Sequence, residues 1–236
     1  MNQKKLVLRI GKTLQQKASP KIAAGSKHYF KETIQPRGIK LPAVRAFEKE
    51  LWKELKNEID LKQALGLTEA LFETGYMEDP FLGMGMVRRF EKEFDAKTFS
   101  RFEKWVDRYI TNWAHCDDLC AHLIAPTIKQ NPVLVKKMQK WPFSPNRWKR
   151  RASIVSFVPL AGKGLFEKEI VETAEKLLSD QEDDLVHKGN GWVLRELGKH
   201  NKKRLLAFLK KHRSRIPRVT MRYALERTPK HLKKGL

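Results

Sequence analysis

Acidic residues are missing from long stretches of this 236-residue chain. Residues 1–31 hold eight Lys or Arg and no Asp or Glu, and residues 119–166 hold nine and none. Residues 199–236 hold fourteen basic residues against the single acid Glu226. The two intervening segments are mildly acidic, and the whole chain carries a formal charge of +22. Solvated helical faces usually mix signs, as Glu48-Lys49-Glu50 and Glu91-Lys92-Glu93 do. Long one-signed stretches argue instead for a continuous basic surface. Such a surface suits a polyanion, because each phosphate neutralised by Lys or Arg releases counterions and adds affinity without sequence information.

Other scarcities narrow the class further. Only two cysteines are present, Cys116 and Cys120, which excludes a disulfide scaffold. Their C-x3-C spacing on a helix, with His115, Asp117 and His122 nearby, invites a metal reading. Structural zinc wants four ligands from two paired clusters, and there is no second pair, so the expectation is buried helical cysteines and neither metal nor cofactor. No run approaches the roughly 18 apolar residues of a membrane span. The start, Met1-Asn2-Gln3-Lys4-Lys5, leads into no long apolar stretch, so the expected location is cytoplasmic, with no membrane partner. A hydrophobic content of 41% is too high for a disordered basic tail, so the charge sits on a folded body.

Strand alternation is also absent, and what replaces it is helical periodicity. Val44, Phe47, Leu51, Trp52 and Leu55 line one face of a 3.6-residue helix. Similar patterns run through Phe99 to Ile110, Ile154 to Leu160, Ile170 to Leu178, Val193 to Leu197 and Leu205 to Leu209. Breaks are expected at Gln35-Pro36-Arg37-Gly38, Asp79-Pro80, Asn131-Pro132, Ser144-Pro145-Asn146, Ala161-Gly162-Lys163-Gly164, Lys188-Gly189-Asn190-Gly191 and Ile216-Pro217. Helices recurring about every 40 residues fit an α-solenoid or a plain bundle equally well. The blocked charge favours the solenoid, since stacked helix pairs place one helix of each pair on a shared face. The expectation is an all-α, single-domain chain over residues 1–236.

Three further stretches carry chemistry. In Asn112-Trp113-Ala114-His115-Cys116-Asp117, residues Trp113 and Asp117 are i, i+4 and share a helix face. Spacing alone favours a bland outcome, with Trp113 packed in the core and Asp117 on its rim. The other two are Asn146-Arg147-Trp148-Lys149-Arg150-Arg151-Ala152 and Gly191-Trp192-Val193-Leu194-Arg195-Glu196. Preceded in the chain by Tyr29-Phe30, Gly38-Ile39-Lys40-Leu41-Pro42 and Arg45, these ordered pieces resemble the AlkD-like DNA alkylation repair family, the HEAT-like-repeat glycosylases that release alkylated purines. Family members usually read Trp-Asp-x-Val-Asp at the catalytic helix; here Ala114 stands where the first carboxylate would be, and Asp117 keeps the second.

The resemblance implies a HEAT-like solenoid with a basic concave groove, acting on double-stranded DNA that contains alkylated bases, without base flipping. It implies catalytic roles for Asp117, Trp113 and Trp192, and a phosphate contact for Arg151. Arg147, Lys149 and Arg150, with Lys202, Lys203 and Arg204, are the further expected DNA contacts. The implied reaction is hydrolysis of the N-glycosidic bond of N3- or N7-alkylpurines by a monomer. Two alternatives remain: a non-catalytic relative that binds branched or distorted DNA, and a helical-repeat scaffold for protein or RNA. Trp52, Trp105, Trp141 and Trp148 are expected in packing roles.

Overall fold

The computed structural model describes residues 2–179 and 184–233, and among them the chain is helical with no strand; an isolated bridge joins Gln35 to Tyr76. It divides into two compact units, Met1–Phe94 and Asp95–Leu236. The first contains α1 (Gln3–Gln16), α2 (Pro20–Lys27), α3 (Leu41–Leu55), α4 (Leu61–Glu73) and α5 (Asp79–Arg88). The second contains α6 (Ala96–Arg108), α7 (Trp113–Leu119), α8 (Ala125–Gln130), α9 (Val135–Met138), α10 (Arg147–Val155), α11 (Val158–Ala161), α12 (Glu167–Lys176), α13 (Asp184–His200), α14 (Lys202–Lys211) and α15 (Arg218–Ala224).

Local chemistry sets most of the helix starts. Ser19, Asp60, Asp95, Asn112, Asn146 and Asn201 each accept a hydrogen bond from a backbone N–H of the first turn, which satisfies a donor that the helix itself cannot. The apolar stripes then fix which face turns inward. Val44, Phe47, Leu51 and Leu55 of α3 are buried, as are Phe99, Phe102, Trp105 and Val106 of α6. Trp105, Trp141 and Trp148 pack inside as expected, with Trp141 stacked on Phe99 at 5.6 Å. Trp52 is half-buried, edge-on to Phe90 with the Arg89 guanidinium over its ring.

In the first unit the Gly-Ile motif is a built turn. Gly38 has φ +90°, and a Cβ there would lie 2.1 Å from the Ser19 carbonyl oxygen. The buried Glu78 carboxylate accepts from the backbone N–H groups of Arg37, Gly38 and Ile39 at 2.8, 2.8 and 3.0 Å. This concave set of amides is a natural anion seat, and the protein's own carboxylate occupies it. Arg37 closes the turn with a bidentate pair to buried Asp79, at 2.7 and 2.8 Å, and stacks on Tyr76.

One expected break is absent. Gly189-Asn190-Gly191 lies in the middle of α13, buried, and not in a turn before Trp192. The glycines serve close packing. A Cβ on Gly189 would lie 2.9 Å from Val155 Cγ1 and 3.3 Å from Arg151 Nη1, and one on Gly191 would lie 2.6 Å from both the Thr220 carbonyl oxygen and Tyr223 Cβ. Helix α13 therefore takes the Val155 and Arg151 side chains of α10 against Gly189 on one side, and approaches the backbone of α15 at Gly191 on the other. The remaining expected breaks coincide with loops or helix starts.

Candidate functional site

The second unit brings three of its helices to one point. Asn112 caps α7 by accepting from the His115 N–H at 2.9 Å, which places Trp113 at the first helical position and Asp117 one turn on. Directly after Leu119, the last residue of α7, the helix widens into a π-turn over Cys120–Ile124 before continuing as α8. Pro126 gives the local reason: it has no N–H to donate back, and its ring would crowd the carbonyl four residues earlier in a regular α-helix.

Asp117 meets Arg151 of α10 through a bidentate pair. Nε donates to Oδ1 at 2.8 Å and Nη2 donates to Oδ2 at 2.7 Å. The third nitrogen, Nη1, donates to the Leu185 carbonyl at the start of α13. One guanidinium thus ties α7, α10 and α13 together. Arg151 is buried, with only 5% of its surface exposed, while the Asp117 side chain keeps 18%. Burial opposes the guanidinium charge, yet Asp117 at contact distance outweighs it, and the pKa of Arg151 is raised above its ordinary value. The planar fork for which the resemblance implies a phosphate grips a carboxylate in this structure.

Trp113 and Trp192 are both half-buried, the first on α7 with Asp117 and the second on α13, three residues beyond Gly189 and adjacent to Gly191. Because Gly189 faces Arg151 and Val155, the next turn of α13, which carries Trp192, starts beside the same junction.

The other expected DNA contacts divide by exposure. Lys149 is held by Asp107 at 2.7 Å and Glu103 at 3.2 Å, with 16% of its side chain exposed. Burial lowers its pKa and the two carboxylates more than reverse that, leaving it raised. Arg150 donates to the Ser144 and Pro145 carbonyls, both at 3.0 Å. Arg147 stacks over Trp148 at 4.9 Å, and Arg204 donates to Glu167 at 3.3 Å. Lys203 is exposed and Lys202 half-buried. Reading the charge blocks along the chain missed these pairings, because Glu103, Asp107 and Glu167 lie outside the acid-free stretches and reach them only through packing.

The two cysteines are buried and free, as the helical spacing implied. Burial first, then the neighbouring Cys120 thiol, pushes the Cys116 thiol well up, and its Sγ approaches the Trp148 carbonyl at 3.6 Å. Among the described residues no group of three or more His, Cys, Asp or Glu side chains is arranged to hold a metal ion. No helix among them is long and apolar enough to cross a membrane.

Comparison with known proteins agrees with this architecture. A solved structure described as a predicted DNA alkylation repair enzyme from Enterococcus faecalis superposes with a TM-score of 0.80, covering 91% of this chain and 98% of its own, at 17% identity. That likeness establishes an all-α helical-repeat fold. No curated protein matches the chain. The family model described as DNA alkylation repair enzyme matches residues 10–228, a span that takes in most of both units and includes Trp113, Asp117, Arg151 and Trp192. The chain belongs to the DNA alkylation repair enzyme family.

Proposed function

We propose that this protein is a DNA glycosylase that hydrolyses the N-glycosidic bond of N3- or N7-alkylated purines in double-stranded DNA. The observation that carries this reading is the Asp117–Arg151 pair, a carboxylate fixed at both oxygens yet still partly exposed, on the same helix face as Trp113. A purine alkylated at N3 or N7 is already cationic, so it leaves as a neutral base without a general acid. What the enzyme supplies is stabilisation of the oxocarbenium-like sugar, and a fixed carboxylate does that while it orients water. Each carboxylate oxygen has a second lone pair beyond the one Arg151 occupies. The indole faces of Trp113 and Trp192 present negative quadrupole to the same cationic sugar.

In this reading Arg151 is a positioning residue: it holds Asp117 in one orientation and anchors it to the Leu185 carbonyl. Grip on the DNA falls to more exposed cations such as Lys203. Repair by transfer of the alkyl group to a cysteine is disfavoured, since transfer needs an accessible thiolate and both thiols are sealed in the helix interior.

A second reading is a relative that binds distorted DNA without cleaving it. Ala114 in place of a carboxylate and the full engagement of Asp117 by Arg151 favour it. Base release from methylated duplex DNA separates the two. Wild type should free alkylpurine, and Asp117→Asn should slow release by about 10²- to 10³-fold, the usual loss for one fixed electrostatic group. A wild-type protein that binds the duplex and frees no base would leave only the second reading.

A further inference from the structure

The candidate site lies on a row of helices, and the row continues past it. Helix α7 packs on α10, α10 on α13, and α13 on α15. The last contact is backbone-close at Gly191, the neighbour of Trp192, and it is fixed by a hydrogen bond from Thr220 Oγ1 to the His187 carbonyl at 3.1 Å. Thr220 and Ala224 are the α15 residues turned into that contact, at 0% and 1% exposure. Positions 218 and 222 lie about half a turn round from them and share the opposite face. Both hold arginine, both are exposed, and exposed Arg215 stands in the turn just before.

Charge on this stripe is not cancelled by its own segment. Glu226 is the single acid of residues 199–236, and it pairs with Arg195 of α13, three residues beyond Trp192. That pair also ties the end of α15 to the part of α13 that follows Trp192.

We infer that Arg218 and Arg222, with Arg215, form a phosphate-binding stripe that grips the DNA backbone about two to three nucleotides from the one at Trp192. The spacing follows from the packing. Neighbouring helices stand about 8–10 Å apart, and phosphates of one strand advance about 3.4 Å each along the duplex axis. Arginines four residues apart are about 6 Å apart along the helix, about two phosphate steps at the same advance, so each can meet a separate phosphate. The location relative to Trp192 rests on the glycosylase reading; the grip on the backbone does not.

Two measurements test this, and neither needs base release. On undamaged duplex DNA, the slope of log affinity against log salt should fall by about one for Arg218→Gln or Arg222→Gln and by about two for the double variant. Lys168→Gln, a change of equal charge at a side chain 77% exposed on α12, should leave the slope unaltered. Slopes that match wild type in the arginine variants, or that fall equally for Lys168→Gln, overturn the stripe. The second measurement places single uncharged methylphosphonates along a duplex with a stable abasic-site analogue. Binding should lose its sensitivity to Arg222→Gln when the neutral linkage lies two to three nucleotides from the analogue. Undiminished sensitivity at every position within about five nucleotides overturns the placement. Normal base release with failed salt and linkage tests removes the stripe alone, whereas the converse removes the glycosylase reading and leaves the stripe as a DNA contact.

Discussion

Gly191→Ala isolates the packing that sets α15 beside the candidate site. In an exposed helix interior, replacing Gly by Ala gains about 1 kcal/mol, because alanine loses less backbone freedom on folding. At Gly191 the new methyl would lie 2.6 Å from two atoms of α15, the Thr220 carbonyl oxygen and Tyr223 Cβ. Neither is the tip of a flexible side chain. Ordinary contact begins near 3.4 Å, so the α15 backbone must retreat by most of an ångström, and overpacking of this kind costs about 1–3 kcal/mol or somewhat more. With a rigid obstacle the upper figure applies, which leaves a net loss of about 2 kcal/mol after the propensity gain. For a chain of this size that corresponds to a fall in Tm of about 4–8 °C. Gly25→Ala in α2 is the matched control, since nothing lies within 4 Å of its added methyl, and it should raise Tm by about 2–4 °C. Differential scanning calorimetry of the two variants decides the matter. An unchanged or raised Tm for Gly191→Ala would refute the close approach of α13 and α15, and with it the argument that placed the arginine stripe.

Gly189→Ala should cost less stability, because Val155 can rotate, but it crowds Arg151 Nη1; base release should fall more than duplex binding does, and equal losses would point to general damage. Arg151→Lys replaces a two-pronged hold on Asp117 with a point charge, so base release should drop at least tenfold while the salt slope of DNA binding stays put; a slope lower by about one would make Arg151 a phosphate contact instead. Burial lowers the pKa of His212, with Glu175 opposing and Lys211 and Arg215 reinforcing that shift. Below about pH 6.5 the unfolded chain takes up a proton that the native one resists, so stability falls with falling pH there and recovers above it. Urea midpoints between pH 5.5 and 7.5 should show this trend, flattened in His212→Gln; an identical trend in both proteins would assign it elsewhere. Cys116 and Cys120 should resist a thiol-titrating reagent in the native protein and react after denaturation, whereas fast native labelling would reopen thiol chemistry.

The sequence by itself determined the helices and the inward faces, because these depend on local spacing, while the site candidates came from ordered motifs that resemble a known family. A 3.6-residue apolar period buries Phe99, Phe102 and Val106 whatever else the chain does, and an i, i+4 relation puts Trp113 and Asp117 on one face. Tertiary structure decided what those groups touch. Arg151 and Asp117 are 34 residues apart, and either could have faced solvent or phosphate; packing of α10 between α7 and α13 makes them partners. Gly189 and Gly191 carry the same lesson, since locally they signal a break. Only the neighbouring helices reveal that the missing side chains leave room for Val155 and Arg151 at Gly189 and for the α15 backbone at Gly191, and that the basic blocks are partly neutralised by carboxylates from distant segments.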